Sequence, residues 1–296
     1  MKNIIIVTGG AGFIGSNLIE KLVKIKNYNI ISLDNYSSGS KKNHIINTGT
    51  KVKYLNGDTK DVFKILEKYS KKIHSIFHFG EFSRIYQSFK NSDMCFDSNI
   101  IGTGQLIKFA LKNRIKLIYS ATSASLGNKG SDMNLSPYAF TKAKNLELLE
   151  NIKKWFNFKY DVVYFYNVYG QKQICRGKMA TVVGIFEEYF KNKKPLPVVK
   201  PGTQTRRFTH VEDTVNSCII AWKRNMNKHY SVVSNESYSI IQLAKLFKSK
   251  IKYLPPRKGE RFSSALTRIN LNNKIMRLKG KIKLKNYVEE FLNKSV

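Results

Sequence analysis

A doubly wound α/β fold, a parallel sheet with helices on both faces, follows from three observations. Short apolar runs alternate with helical patterns at a regular pace up to about residue 170. The first run, Ile4-Ile5-Ile6-Val7, feeds directly into Thr8-Gly9-Gly10-Ala11-Gly12-Phe13-Ile14-Gly15 and then a helix opening, Ser16-Asn17-Leu18-Ile19-Glu20. A second run, Asn29-Ile30-Ile31-Ser32-Leu33, ends at Asp34, nineteen residues after Gly15.

Strand one is expected over 3–8 and helix one over 12–25. Between them Gly9 permits a tight turn, Gly12 lets the backbone approach phosphates, and Gly15 lets the helix pack on the strand. Free N–H groups at the helix start, around Phe13 and Ile14, then meet the negative charge of a dinucleotide pyrophosphate. Strand two, 29–33, presents Asp34 to a ribose 2′-hydroxyl. A 2′-phosphate would meet that carboxylate, so NAD is the expected cofactor, although Lys41 and Lys42 lie close by in sequence. Strands at 51–55, 73–79, 115–120 and 159–165 alternate with helices at 60–69, 91–112 and 137–156. The last helix opens with Ser136-Pro137, an N-cap and a first-turn proline. Beyond 170 the rhythm changes, with Pro195, Pro197, Pro201 and Pro255-Pro256 punctuating shorter elements. The expected organisation is a Rossmann-type NAD-binding domain over 1–170, to which later segments return, and a smaller, mainly substrate-binding lobe over 171–296.

The 296 residues suffice to bury a large core. No segment reaches the ~20 apolar residues of a membrane span, and strand one begins without a signal-peptide pattern, so a cytoplasmic protein is expected. Cys95, Cys175 and Cys218 are far apart, odd in number and free of CxxC or Cys/His pairing, which points to reduced thiols and to no metal site. The net charge is +32, but only ten of the 52 basic residues are Arg, and Lys is spread through every segment together with Ile, Asn and Tyr. A nucleic-acid binder would cluster its cations on one element, so the charge reads as coding bias. Its field still favours phosphorylated, anionic substrates.

Tyr138 and Lys142 lie at i and i+4 and share one helix face. A phenol with an ordinary pKa of ~10 works as a base near neutrality only if it falls by about three units, and an adjacent ammonium with a cationic nicotinamide can provide that. Upstream, the strand at 115–120 runs into a hydroxyl-rich stretch, Tyr119-Ser120-Ala121-Thr122-Ser123-Ala124-Ser125, where ligands of open parallel sheets sit.

Taken together, the chain resembles the extended short-chain dehydrogenase/reductase family, specifically its nucleotide-sugar epimerases. The resemblance spans nearly the whole length. It rests on the TGGAGFIG turn, Asp34-Asn35, Gly57-Asp58, Phe77-His78-Phe79-Gly80, Asn99 before Gly102-Thr103, and the SPYxxxK helix. Asn167-Val168-Tyr169-Gly170 and the segment from Gln204 to Asp213 complete it. The resemblance implies a cofactor site that also includes Asn35, Asp58 on the adenine, Thr59, Phe79, Gly80 and Asn99, with Lys142 on the ribose. It implies Thr122, Tyr138 and Lys142 as the catalytic trio. Asn167, Arg206, Arg257 and Glu260 would hold the nucleotide diphosphate of the sugar.

The chain also departs from the family's pattern. Dehydratases of the family place Asp-Glu directly after the catalytic Thr, whereas Thr122 is followed by Ser123-Ala124. Leu126, Arg207 and Glu81 stand where Tyr, Asp and a small or apolar residue are usual. The expected activity is UDP-hexose 4-epimerisation with NAD, through a transient 4-keto sugar. The segment Arg176-Gly177-Lys178-Met179-Ala180-Thr181-Val182 resembles heptose 6-epimerases, which keeps that reaction open alongside a nucleotide-sugar 4-reductase and, more remotely, a non-catalytic dinucleotide-binding regulator. The family implies a homodimer through a four-helix bundle, for which Ile100, Ile101, Leu106, Ile107, Leu146 and Leu149 are candidates, as they are for ordinary core packing.

Overall fold

The computed structural model describes residues 2–46, 51–123, 133–234, 236–256 and 275–295. The first half of the chain alternates strands and helices: β1 (Ile4–Thr8), α1 (Phe13–Leu22), β2 (Asn29–Asp34), β3 (Val52–Asn56), α2 (Val62–Leu66) and β4 (Ile73–His78). There follow α3 (Ile85–Lys90), α4 (Ser92–Phe96), α5 (Thr103–Lys112), β5 (Lys116–Thr122), α6 (Pro137–Phe156) and β6 (Tyr160–Phe165). The second half holds β7 (Val168–Tyr169), α7 (Val182–Lys191), β8 (Leu196–Val199), β9 (Thr205–Arg207), β10 (Thr209–His210) and α8 (Val211–Arg224). It closes with β11 (His229–Val233), β12 (Ser237–Ser239), α9 (Ile240–Leu246), β13 (Ile251–Leu254), β14 (Ile275–Lys279) and α10 (Leu284–Ser295).

Eight of these strands form one sheet in the order β3-β2-β1-β4-β5-β6-β11-β14, parallel throughout. Helices cover both faces, so the central strands read as unbroken apolar runs rather than alternating ones. The pleat still sorts them: Ile4 and Ile6 point into one core, Ile5 and Val7 into the other. The strand order reverses between β1 and β4, and the crevice at that switch point is where open α/β sheets bind ligands. Later segments return to this sheet, namely α8, β11 and β14. The remaining C-terminal elements close around a separate core of Tyr169, Phe186, Val198, Phe208, Leu243, Phe247 and Val288.

The helix expected over 91–112 is continuous but not uniform. A π-helical turn at Asp97–Gly102 separates α4 from α5 and carries buried Asn99. Gly102 lies against Thr59 so closely that a Cβ there would strike the Thr59 hydroxyl. The extra residue of the π turn meets a packing demand that an apolar count cannot reveal. Helix one ends at Leu22 rather than 25, and 60–69 divides into a 3₁₀ turn at Thr59–Asp61, α2, and a second 3₁₀ run at Glu67–Lys72. The longest helix, α6, begins as expected: the Ser136 hydroxyl accepts from Ala139 N at 3.1 Å and Pro137 occupies the first turn.

Candidate active site

The floor of the site is the turn between β1 and α1. Gly9 has φ +68°, and a Cβ on it would come within 2.8 Å of the Phe79 and Gly80 backbone. Only glycine tolerates both conditions. Gly12 precedes α1 with extended backbone and no side chain caps the helix, so the N–H groups of its first turn are left for a ligand. At the end of β2, Asp34 Oδ2 accepts from Ala11 N at 2.9 Å and Oδ1 from Tyr36 N at 2.8 Å. Burial pushes the Asp34 carboxyl above its ordinary range, against the pull of these backbone donors. Asn35 Nδ2 donates to Asp58 Oδ2 at 3.0 Å, and Asp58 caps the 3₁₀ turn that starts at Thr59. Gly9, Gly12, Phe13, Ile14, Gly15, Asp34, Asn35, Asp58, Thr59, Phe79 and Gly80 all line one open cavity of about 760 Å³.

The facing wall of that cavity carries Thr122, at the last position of β5, and Tyr138 and Lys142 from the first two turns of α6. Lys142 Nζ donates to Ser120 O at 2.5 Å, lies 4.7 Å from the centre of the Tyr119 ring, and forms an ion pair with Glu81. Arg84 enters the same cavity, donating from Nε and Nη2 to Met179 O at 3.0 and 2.5 Å and from Nη1 to Ser83 O at 3.0 Å. Its guanidinium pKa falls through burial and is partly restored by the field of Tyr138.

A model of the NAD dependent epimerase/dehydratase family matches residues 5–234. The chain belongs to that family. Its cofactor is NAD, and the glycine turn and the Asp34 carboxylate form a cradle that fits one. A UDP-glucose 4-epimerase of Lactobacillus helveticus is 27% identical over 259 residues, covering 78% of this chain and 75% of that protein. A dTDP-D-glucose 4,6-dehydratase of Homo sapiens is 29% identical over 256 residues, covering 81% and 72%. The crystal structure of UDP-glucose 4-epimerase with UDP-glucose from Thermotoga maritima superposes with a TM-score of 0.84 at 26% identity, covering 99% of each chain.

Within this epimerase/dehydratase site, two residues expected on the sugar nucleotide line the cavity, and both are held by backbone. Asn167, at φ +28°, donates to Arg207 O at 2.9 Å, and Arg206 Nη1 donates to Thr205 O at 2.8 Å. Arg257, Glu260 and Leu126 lie outside the described residues. Asn99, expected to buttress the cofactor, does not itself line the cavity. It is wholly buried behind the cavity wall, where Oδ1 accepts from Phe82 N at 2.7 Å and Nδ2 donates to Thr141 Oγ1 at 3.0 Å. Its amide is spent on clamping the turn after β4 to α6. Arg84 escaped the sequence reading, because its approach to Tyr138 depends on a loop reaching Met179. Glu81 stood out only as an unusual residue type.

Proposed function

We propose that this chain is a UDP-hexose 4-epimerase. Supporting this reading, Thr122, Tyr138 and Lys142 share a cavity with the dinucleotide cradle and no uncommitted carboxylic acid stands near Thr122 among the described residues. Loss of the sugar C6 hydroxyl needs a general acid. Of the acids lining the cavity, Asp34 and Asp58 belong to the cofactor end, Glu188 pairs with Arg176 at 2.6 Å, and Glu81 is engaged by Lys142. That distribution supports an epimerase over a dehydratase.

When bound, NAD accepts a hydride from the sugar carbon and returns it, so no net oxidation results. Tyr138, as phenolate, takes the proton of the neighbouring hydroxyl and gives it back. Thr122 orients that oxygen, and Lys142 holds the ribose and supplies positive charge beside the phenol. The C-terminal elements around α7 and β8 bind the nucleotide. A C6 epimerase is a second reading, favoured by the segment from Arg176 to Val182, five of whose residues line the cavity.

The active form is a cytoplasmic homodimer in this reading. Of the six apolar residues named as interface candidates, Leu106, Ile107 and Leu149 are buried in the core and Leu146 packs on it, which leaves Ile100 and Ile101 at the surface with Met94, Phe96 and Phe140.

The test is incubation without added reductant with UDP-hexoses, UDP-N-acetylhexosamines, UDP-hexuronic acids and ADP-heptose, followed by NMR. Inversion at C4 without change in bulk NADH supports the proposal, inversion at C6 selects the second reading, and product only with added NAD(P)H identifies a reductase. Tyr138→Phe is expected to abolish turnover while keeping NAD bound, and retained turnover would remove Tyr138 as the base.

A further inference from the structure

Glu81 follows Gly80 on the turn after β4, and its side chain is 1% exposed. A carboxylate in such a place is tolerated only if its lone pairs are filled, and they are. Oε1 accepts from Thr103 Oγ1 at 2.8 Å, Tyr119 OH at 3.1 Å and Asn145 Nδ2 at 3.0 Å, while Oε2 takes Lys142 Nζ. Three donors converge on Oε1 and an ammonium on Oε2, a set of partners that suits an acceptor-only carboxylate.

Donor counting also fixes the direction of a longer chain. Thr8 Oγ1 accepts from Phe79 N at 3.2 Å and Gly80 N at 3.1 Å, so its own proton goes to His78 Nδ1 at 2.7 Å. His78 Nε2 then carries the hydrogen and donates at 2.8 Å to Thr103 Oγ1, whose proton goes to Glu81. Burial supports this neutral imidazole, holding its pKa down at about 4. An unbroken series of hydrogen bonds thus joins the residue before the glycine turn to Lys142.

Two consequences follow for Lys142. An ammonium has three N–H donors. One is held by Glu81 and one by Ser120 O, so a single donor is left for the cofactor side. In addition, Tyr138 sees an ion pair rather than a lone cation. Three further titratable groups near Lys142 among the described residues carry no charge: His78 is neutral, and burial keeps the Tyr119 phenol and the Cys95 thiol protonated. Arg84 also lies within the field of Tyr138.

We propose that Glu81 is a positioning residue for the reaction, fixing Lys142 with one N–H free for the cofactor ribose and offsetting the ammonium charge that Tyr138 experiences. This rests on the reading of Tyr138 as the base. The experiment compares full-length wild type, Glu81→Ala and Glu81→Gln, the first returning the small residue usual in the family and the second keeping the shape without the charge. Tyr138 ionisation is followed by tyrosinate difference absorbance, with the same titration of Tyr138→Phe subtracted, and NAD affinity is measured by calorimetry.

Removing the carboxylate leaves a more positive site, so the Tyr138 midpoint is expected to fall by about one pH unit. NAD affinity is expected to weaken about tenfold as Lys142 loses its anchor. A midpoint that stays put or rises in a folded variant overturns the charge-offset role, and unchanged NAD affinity overturns the positioning role. If the midpoint falls while the pH profile of kcat/KM does not move, Glu81 acts as proposed and the assignment of Tyr138 as base is what fails. Should Glu81→Ala not fold, Glu81→Gln is read by the same criteria.

Discussion

Gly15→Ala tests the glycine turn directly. The added Cβ would stand 2.8 Å from Gly10 Cα and 2.9 Å from Gly9 C, with Gly9 O closer still. Carbon atoms in contact sit about 3.5–4.0 Å apart, so the turn must retreat from α1 by at least about half an ångström. All the atoms in the way belong to backbone, which cannot rotate aside. The same retreat moves the helix-start N–H groups away from the cofactor phosphates. Losing two hydrogen bonds to charged oxygens costs about 3–6 kcal/mol, which corresponds to at least about a 100-fold loss of NAD affinity. Gly104→Ala, in α5, is the matched control: nothing lies within 4 Å of its added Cβ. Alanine there is expected to raise stability by up to about 1 kcal/mol and to leave NAD binding alone. Calorimetric titration with NAD and urea denaturation of both variants provide the readout. A folded Gly15→Ala protein that binds NAD within fivefold of wild type would refute the reasoning.

Two other expectations can be checked in parallel. His78 is buried and its pKa is pulled from 6.5 to about 4, so between those values the unfolded chain binds one more proton than the native state. Stability should therefore be complete above pH 6.5 and fall with acidification towards pH 4 by a contribution of about 3 kcal/mol; in urea denaturation across this range, a His78→Gln protein should lack that slope, and an equal slope would contradict it. Ile101 is 49% exposed beside exposed Met94 and Phe96, so Ile101→Lys should convert the proposed dimer to monomer in sedimentation, whereas a wild type that sediments as a monomer would remove the dimer.

The sheet and the cofactor cradle were legible because their determinants are local. β2 and β6 begin and end within one residue of expectation, since an apolar run bounded by turn residues marks a buried parallel strand wherever it lies. Gly9, Gly12 and Gly15 are spaced by the geometry of a single turn, and Tyr138 and Lys142 by that of a single helix. What escaped depends on distant segments meeting. The four donors on Glu81 come from α5, β5 and two turns of α6, and no periodicity links positions 81, 103, 119, 142 and 145. The partners of Asn99 were hidden for the same reason, because its bonds to Phe82 and Thr141 join the turn after β4 to α6. The apolar residues on 92–112 could not be divided between core and surface until the packing of α5 was known.

The path of the chain between the sheet and the C-terminal core limits how the cavity can open. After β6 the chain leaves the sheet for α7 and β8, returns through α8 and β11, departs again for β12, α9 and β13, comes back as β14, and ends in α10. A hinge that swung the smaller part away would have to bend every one of these crossings at once. One of them is tied further, because Asp213 Oδ2 accepts from Lys281 N at 2.9 Å and Ile282 N at 3.0 Å, pinning the start of α8 to the segment after β14. The open cavity is thus framed by parts that are tied to the main sheet at several points, and cutting the chain within its last third would remove strands of that sheet.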